Sequence, residues 1–349
     1  MSVDVTRFAL PLERPLSTAR GDISVRRGFV VRGTVGDVQG VGEATPLPGW
    51  TESYDDCRRA LELVDDLGAA LSANVLDDAP AARHAVSLAL FDARARGEGV
   101  SLARFLVGDG GDVAETVAVN ATVGDEGPTE TADAVTTAVA SGYDCVKLKV
   151  GVGLVERDVE RVVAAREAAA EVALRVDANG AWTTDEATRF VERVAERGVD
   201  LEYVEQPLDA ADVAGHASFR ERCPFRVAVD ETLATSTVDE ILARAAADVL
   251  VLKPMALGGV DQALAVAEQA REAGLGSVVT TTIDAVVART GALHVAAALG
   301  DPPACGLATG DFLSRDLAAD PAPVVDGGMT VPAGPGLAGE AFSGLDADG

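Results

Sequence analysis

Asp144-Cys145-Val146-Lys147-Leu148-Lys149-Val150 is a short apolar run carrying two lysines two residues apart, and residues 154–171 after it are rich in Ala, Glu and Arg with helical periodicity. The first stretch has the length and alternation of a strand, the second the spacing of an amphipathic helix. The couplet recurs along the chain. Apolar, β-rich runs fall at residues 117–123, 172–177, 201–205, 225–230, 248–253, 276–282 and 305–309, with helical stretches at 184–197, 238–246 and 260–273. Strands alternating with helices imply a parallel sheet with crossover helices, and eight such strands imply a closed barrel.

Polar residues mark the ends of these runs at a regular interval. Lys149, Asp177 and Glu205 are each 28 residues apart; Asp230 follows after 25, Lys253 after 23 and Thr281 after 28. Each interval is one β/α unit, so the six side chains form an arc at the C-terminal ends of successive strands, where barrel enzymes carry their chemistry. A single carboxylate in such a place is more often a helix cap or turn residue. Five charged groups in one register are hard to explain that way.

Lysine usage points to the same place. Of the 29 basic residues only three are lysine, Lys147, Lys149 and Lys253, and all three stand in apolar strand contexts. Arginine replaces lysine on a surface, but not where a neutral amine is needed, because guanidinium does not deprotonate in proteins. The three carboxylates Asp177, Glu205 and Asp230 converge without His or Cys, and oxygen-only ligands suit a hard cation: Mg²⁺, with Mn²⁺ as the alternative. A cation holding a substrate carboxylate would stabilise the dianion formed when the adjacent carbon loses its proton, and an amine beside it would take that proton. The expected chemistry is proton abstraction alpha to a carboxylate, and the expected partner is a small-molecule carboxylate.

The motifs Lys147-Leu148-Lys149, Asp177-Ala178-Asn179-Gly180-Ala181-Trp182, Glu205-Gln206-Pro207, Asp230-Glu231-Thr232 and Lys253-Pro254-Met255 resemble the enolase superfamily, and in particular its muconate-lactonizing-enzyme subgroup. The segment Gly40-Val41-Gly42-Glu43-Ala44-Thr45-Pro46-Leu47-Pro48 is similar to that family's capping domain, so the resemblance covers nearly the whole chain. It implies Asp177, Glu205 and Asp230 as metal ligands and Lys149 and Lys253 as acid/base residues. It implies electrostatic help from Lys147, with Asn179, Glu231, Thr281 and Thr282 supporting these groups or touching substrate. The catalytic His of the mandelate-racemase-like branch is missing: the seventh strand ends in Thr280-Thr281-Thr282, and His294 sits in an apolar helix as an expected core residue. Nor does Gly306-Leu307-Ala308-Thr309-Gly310-Asp311 hold the Asp-x-Asp pair usual in dipeptide epimerases. Thr281-Thr282-Ile283-Asp284-Ala285 is similar to the o-succinylbenzoate synthases, which implies a carbon–oxygen lyase of menaquinone biosynthesis. An N-acylamino acid racemase, a dipeptide epimerase and a muconate cycloisomerase are the alternatives. A non-catalytic binding barrel is the remote one, disfavoured because every metal and lysine position is filled.

The rest of the chain bounds this reading. In 349 residues, 56 acidic against 29 basic side chains give a net charge of −27, which repels nucleic acid and anionic lipid. The acid is spread evenly, as expected of a halophilic, cytoplasmic protein whose self-repulsion is screened by molar salt. Met1-Ser2-Val3-Asp4-Val5-Thr6-Arg7-Phe8 lacks a signal-peptide pattern, and no apolar run is long enough to span a membrane. Four scattered cysteines suggest neither zinc site nor disulfide framework. The expected fold is α/β: a modified TIM barrel, (β/α)7β, over residues 113–310, with an N-terminal α+β capping domain over 1–112 completed by a C-terminal segment, 311–349. In the capping domain, strands are expected near 3–10, 24–34 and 40–44 and helices near 55–73 and 81–96. Homo-oligomerisation is left open.

Overall fold

The computed structural model describes residues 3–18 and 21–345; residues 1–2 and 346–349, the outer ends of the expected domains, and 19–20 lie outside the described residues. The N-terminal layer is a three-stranded antiparallel sheet of β1 (Val3–Thr18), β2 (Gly21–Val35) and β3 (Val38–Ala44). The helix Pro80–Glu98 lies on β3. Two glycines allow this approach: a Cβ at Gly40 would stand 2.0 Å from the Ala89 carbonyl oxygen, and one at Gly42 1.9 Å from that of Ala85. The expected helix over 55–73 is two helices, Tyr54–Leu61 and Leu67–Ser72, the second opened by Asp66, whose side chain accepts the Ala69 amide proton.

Next come β4 (Thr116–Ala118) and β5 (Ala121–Val123), then β6 (Cys145–Lys149), β7 (Ala173–Asp177), β8 (Tyr203–Glu205), β9 (Val227–Val229), β10 (Val249–Leu252) and β11 (Gly276–Val279). Strands β5 to β11 form one parallel sheet in chain order. Its curl is closed by two single bridges, Val119 to Cys305 and Thr280 to Gly306. The fold is thus an α/β barrel of the TIM type with an antiparallel capping sheet. Helices such as Thr184–Glu196, fixed at its start by a Thr183/Glu186 capping box, return the chain between strands.

Two expectations are corrected here. The run 117–123 is not one barrel strand: β4 leaves the barrel to pair with β13 (Gly328–Thr330), which also pairs with β12 (Val324–Val325), and only β5 stays in the sheet. Among the described residues the run 305–309 makes strand bridges only at Cys305 and Gly306, just past Pro302 and Pro303, which have no N–H to give a ladder. The tail packs back over the N-terminal layer: the Ser314 amide donates to the Pro11 carbonyl (3.0 Å) and the Leu102 amide to that of Gly336 (2.8 Å). Among the described residues no helix is long and apolar enough to cross a membrane.

Candidate active site

Strand alternation on β6 turns Val146 and Leu148 outward into the helix layer, where both are fully buried, and leaves Lys147 and Lys149 on the other face. Parallel register then sets Lys149 beside Asp177 and Asp177 beside Glu205, a charged row across three strands. Asp230 follows the end of β9, and Lys253 follows β10 directly, ahead of Pro254. Lys149 and Lys253 are separated by the three intervening strands β7 to β9, so they close the barrel mouth from opposite sides.

The lysines and carboxylates are paired. Lys149 Nζ donates to Asp177 Oδ2 (2.6 Å) and Asn179 Oδ1 (2.9 Å). Lys147 Nζ donates to both Glu205 oxygens (2.9 and 3.0 Å) and lies 3.3 Å from Asp177 Oδ2. Lys253 Nζ donates to Asp230 Oδ2 (2.5 Å) and sits 3.3 Å from the centroid of the Trp50 ring. Asn179, left-handed at φ 46°, passes the network on by donating Nδ2 to Glu231 Oε1 (2.9 Å). Thr281 and Thr309 share a hydroxyl hydrogen bond of 2.9 Å, and Thr282 donates its hydroxyl to Asp284 (2.5 Å).

Burial and charge act on these acids in opposite directions. Burial alone would raise Asp177, but the charges of Lys149 and Lys147 overcome it and hold the carboxyl well below its usual range. Burial, reinforced by the charge of Asp177, raises Glu205 despite Lys147. Asp230 is pushed up to about 8 by burial, with Lys253 opposing and Glu231 and Glu205 adding to the rise. Burial would lower Lys147, but Glu205 and Asp177 carry it well above its ordinary value. Three nearly inaccessible acids therefore crowd one mouth, and two of them, Glu205 and Asp230, are raised by burial.

Among the described residues no three His, Cys, Asp or Glu side chains close on a common centre. Asp177 and Glu205 turn to Lys147 and Lys149, and Asp230 to Lys253, each as an ion pair. The residues nonetheless fit a hard cation. The donor set is oxygen only, and Asp230 Oδ1 is buried with no hydrogen-bond partner among the described residues.

Several groups at the site were not singled out from sequence. Trp50 comes from the capping layer and carries no motif. Gln206, left-handed at φ 40°, accepts the Asp230 amide proton (2.9 Å) and that of Thr232 (3.2 Å) on its Oε1; the Glu205-Gln206-Pro207 motif was the available signal. The fully buried Arg161 donates to the Lys149 carbonyl (2.6 Å) and fixes that strand end. None of the three histidines bonds to the lysines or the three carboxylates, although His216 Nε2 lies 3.3 Å from Gln206 Nε2. His294 accepts the Ala103 amide proton on Nδ1 (3.2 Å), which leaves Nε2–H to donate to the Leu337 carbonyl (2.6 Å), as befits a core residue. His84 contacts the Glu43 carbonyl and His216 that of Asp212.

A family profile, enolase C-terminal domain-like, matches residues 130–341, and the chain belongs to the enolase superfamily. An o-succinylbenzoate synthase from Thermobifida fusca is 41% identical over 225 residues, 63% of this chain and 68% of that protein. An L-Ala-D/L-Glu epimerase from Bacillus subtilis is 28% identical over 311 residues, 84% of each chain. The crystal structure of a dipeptide epimerase from Methylococcus capsulatus, complexed with Mg and the dipeptide L-Arg-D-Lys, superposes with a TM-score of 0.84 at 27% identity, covering 97% of this chain and 98% of that one.

Proposed function

We propose that the protein removes the proton alpha to a substrate carboxylate, and that its reaction is dehydration of a succinyl-hydroxycyclohexadiene carboxylate to o-succinylbenzoate. The observation that carries the reading is the pair of lysines on opposite sides of the mouth, each bonded to a buried acid of the proposed metal set. Asp177, Glu205 and Asp230 are the residues to hold one Mg²⁺ or Mn²⁺, which would supply positive charge beside the substrate carboxylate. With substrate in place, Lys149 in its amine form takes the ring proton. The C–H electron pair moves into the carboxylate system as an enediolate, then returns to expel hydroxide from the neighbouring carbon. The ammonium of Lys149 gives that leaving group its proton, so water and an aromatic acid are formed and Lys149 is regenerated.

Lys253 stays cationic on the other face, between Asp230 and the π-face of Trp50, and stabilises the developing charge. Lys147, bonded to Glu205 and close to Asp177, keeps positive charge beside Lys149 and the substrate carboxylate. The Thermobifida fusca relative supports the lyase reading and a place in menaquinone biosynthesis. The epimerase relatives make racemisation of an N-acylamino acid or dipeptide the competing outcome. The test is a panel of the cyclohexadiene acid, N-acylamino acids, dipeptides and muconate. Loss of diene absorbance is expected. No turnover of the diene together with epimerisation of a dipeptide or N-acylamino acid would replace the lyase reading.

A further inference from the structure

Two buried side chains of the capping layer reach the loop after β11. Arg26, on β2, is 3% exposed, and its guanidinium is directed at backbone carbonyls: Nε donates to Ile283 (3.1 Å), Nη2 to Thr45 (2.8 Å) and Nη1 to Pro46 (3.3 Å). Glu43, on β3 and fully buried, accepts the Ala285 amide proton on Oε1 and that of Ala288 on Oε2, each at 2.8 Å, so it caps the barrel helix Val286–Ala297. Thr45 also donates its hydroxyl to Glu43. A buried guanidinium whose hydrogen-bond partners among the described residues are carbonyls is costly, and nearby Asp284 and Glu43 supply the opposing charge.

Between these anchors Ile283 has φ 60°, a left-handed conformation that a β-branched residue rarely adopts. Such strain persists only where the surroundings over-determine it. Ile283 also lines a cavity of about 340 Å³ between Leu12 and Arg14 of β1 and Asp311 and Phe312 of the short 3-10 helix Gly310–Phe312. The loop that carries Thr281 and Thr282 is therefore shaped by the capping layer.

We propose that Arg26 and Glu43 are positioning residues that lock residues 280–285 with Ile283 left-handed, so that its side chain walls the cavity receiving the substrate's tail. The occupant of the cavity rests on the carboxylate reading above; the locking of the loop does not. The left-handed state costs an isoleucine on the order of tenfold in population, and glycine adopts it freely.

The experiment is hydrogen–deuterium exchange on the full chain, with Arg26→Met measured in the Ile283 and Ile283→Gly backgrounds. In the isoleucine background Arg26→Met should speed exchange of residues 280–285 by roughly tenfold and leave residues 249–252 unchanged. In the glycine background the same change should be under about threefold. In turnover, Arg26→Met should raise KM by roughly tenfold and leave kcat within about threefold. Equal acceleration in both backgrounds, wild-type protection of the loop, or loosening of the whole barrel would overturn the proposal. Should Arg26→Met fail to fold, Arg26→Lys keeps the charge without the fork and is held to the same criterion. Wild-type protein that turns over no carboxylate would refute the function and leave the exchange result to judge the lock.

Discussion

Trp50 gives a prediction that ties the capping layer to the chemistry. Its ring centroid lies 3.3 Å from Lys253 Nζ, a nitrogen also held by Asp230 at 2.5 Å, and Lys253 is only 9% exposed. A cation over an indole face is worth about 2 kcal/mol when desolvated and about 0.5–1 when open to water. With Lys253 buried and Trp50 partly exposed, about 1–2 kcal/mol is reasonable, which is roughly five- to thirtyfold in rate. Trp50→Leu removes the π-face and keeps apolar bulk; Trp50→Phe keeps a weaker face. Because Lys253 acts on charge that develops during the reaction, the loss should fall on kcat rather than KM. Steady-state turnover of the cyclohexadiene acid, followed by diene absorbance, reads both constants. Trp50→Leu should lose roughly tenfold in kcat and Trp50→Phe about threefold. An unchanged kcat in Trp50→Leu, or equal losses in the two variants, would show that the ring does not act on the ammonium.

Three further outcomes are expected. Exhaustive chelation with EDTA should abolish turnover and Mg²⁺ or Mn²⁺ should restore it; full activity after chelation would remove the three carboxylates from a metal role. With a net charge of −27 the fold should lose structure or activity below a few hundred millimolar salt and regain it in molar KCl, and a melting temperature indifferent to salt would contradict halophilic adaptation. Burial lowers the pKa of His294 from 6.5 to about 4, so the folded protein keeps it neutral while the unfolded chain takes up a proton. Its contribution is present above pH 6.5 and falls by about 3 kcal/mol as pH drops toward 4, so His294→Gln should gain on the wild type by that amount across the window. A stability gap independent of pH would refute this.

The row from Lys149 to Glu205 was legible because two periodicities are enough to place it. Alternation along a strand selects a face, and one β/α unit of spacing selects the strand end. The rarity of lysine sharpened the choice. What was not legible came from pairings over long sequence distances. Nothing local in residues 117–123 reveals that Thr116 will pair with Thr330, so the first barrel strand was drawn too long. Trp50 and Arg26 act on Lys253 and Ile283, more than 200 residues downstream, and neither stands in a patterned motif. The alternation of the lysines fixes their face, but not which carboxylate each one meets. That choice depends on the balance of burial and charge that draws Asp230 to Lys253.

The central claim is that Lys149 moves the proton while Lys253 supplies charge. Arginine substitution separates the two roles, since it keeps a cation and removes a titratable amine. The measurement is turnover of the cyclohexadiene acid by wild type, Lys149→Arg and Lys253→Arg under identical salt and Mg²⁺. Lys149→Arg should lose roughly 10²–10⁴-fold or more in kcat, and Lys253→Arg should retain clearly more. Near-wild-type turnover in Lys149→Arg would contradict the account.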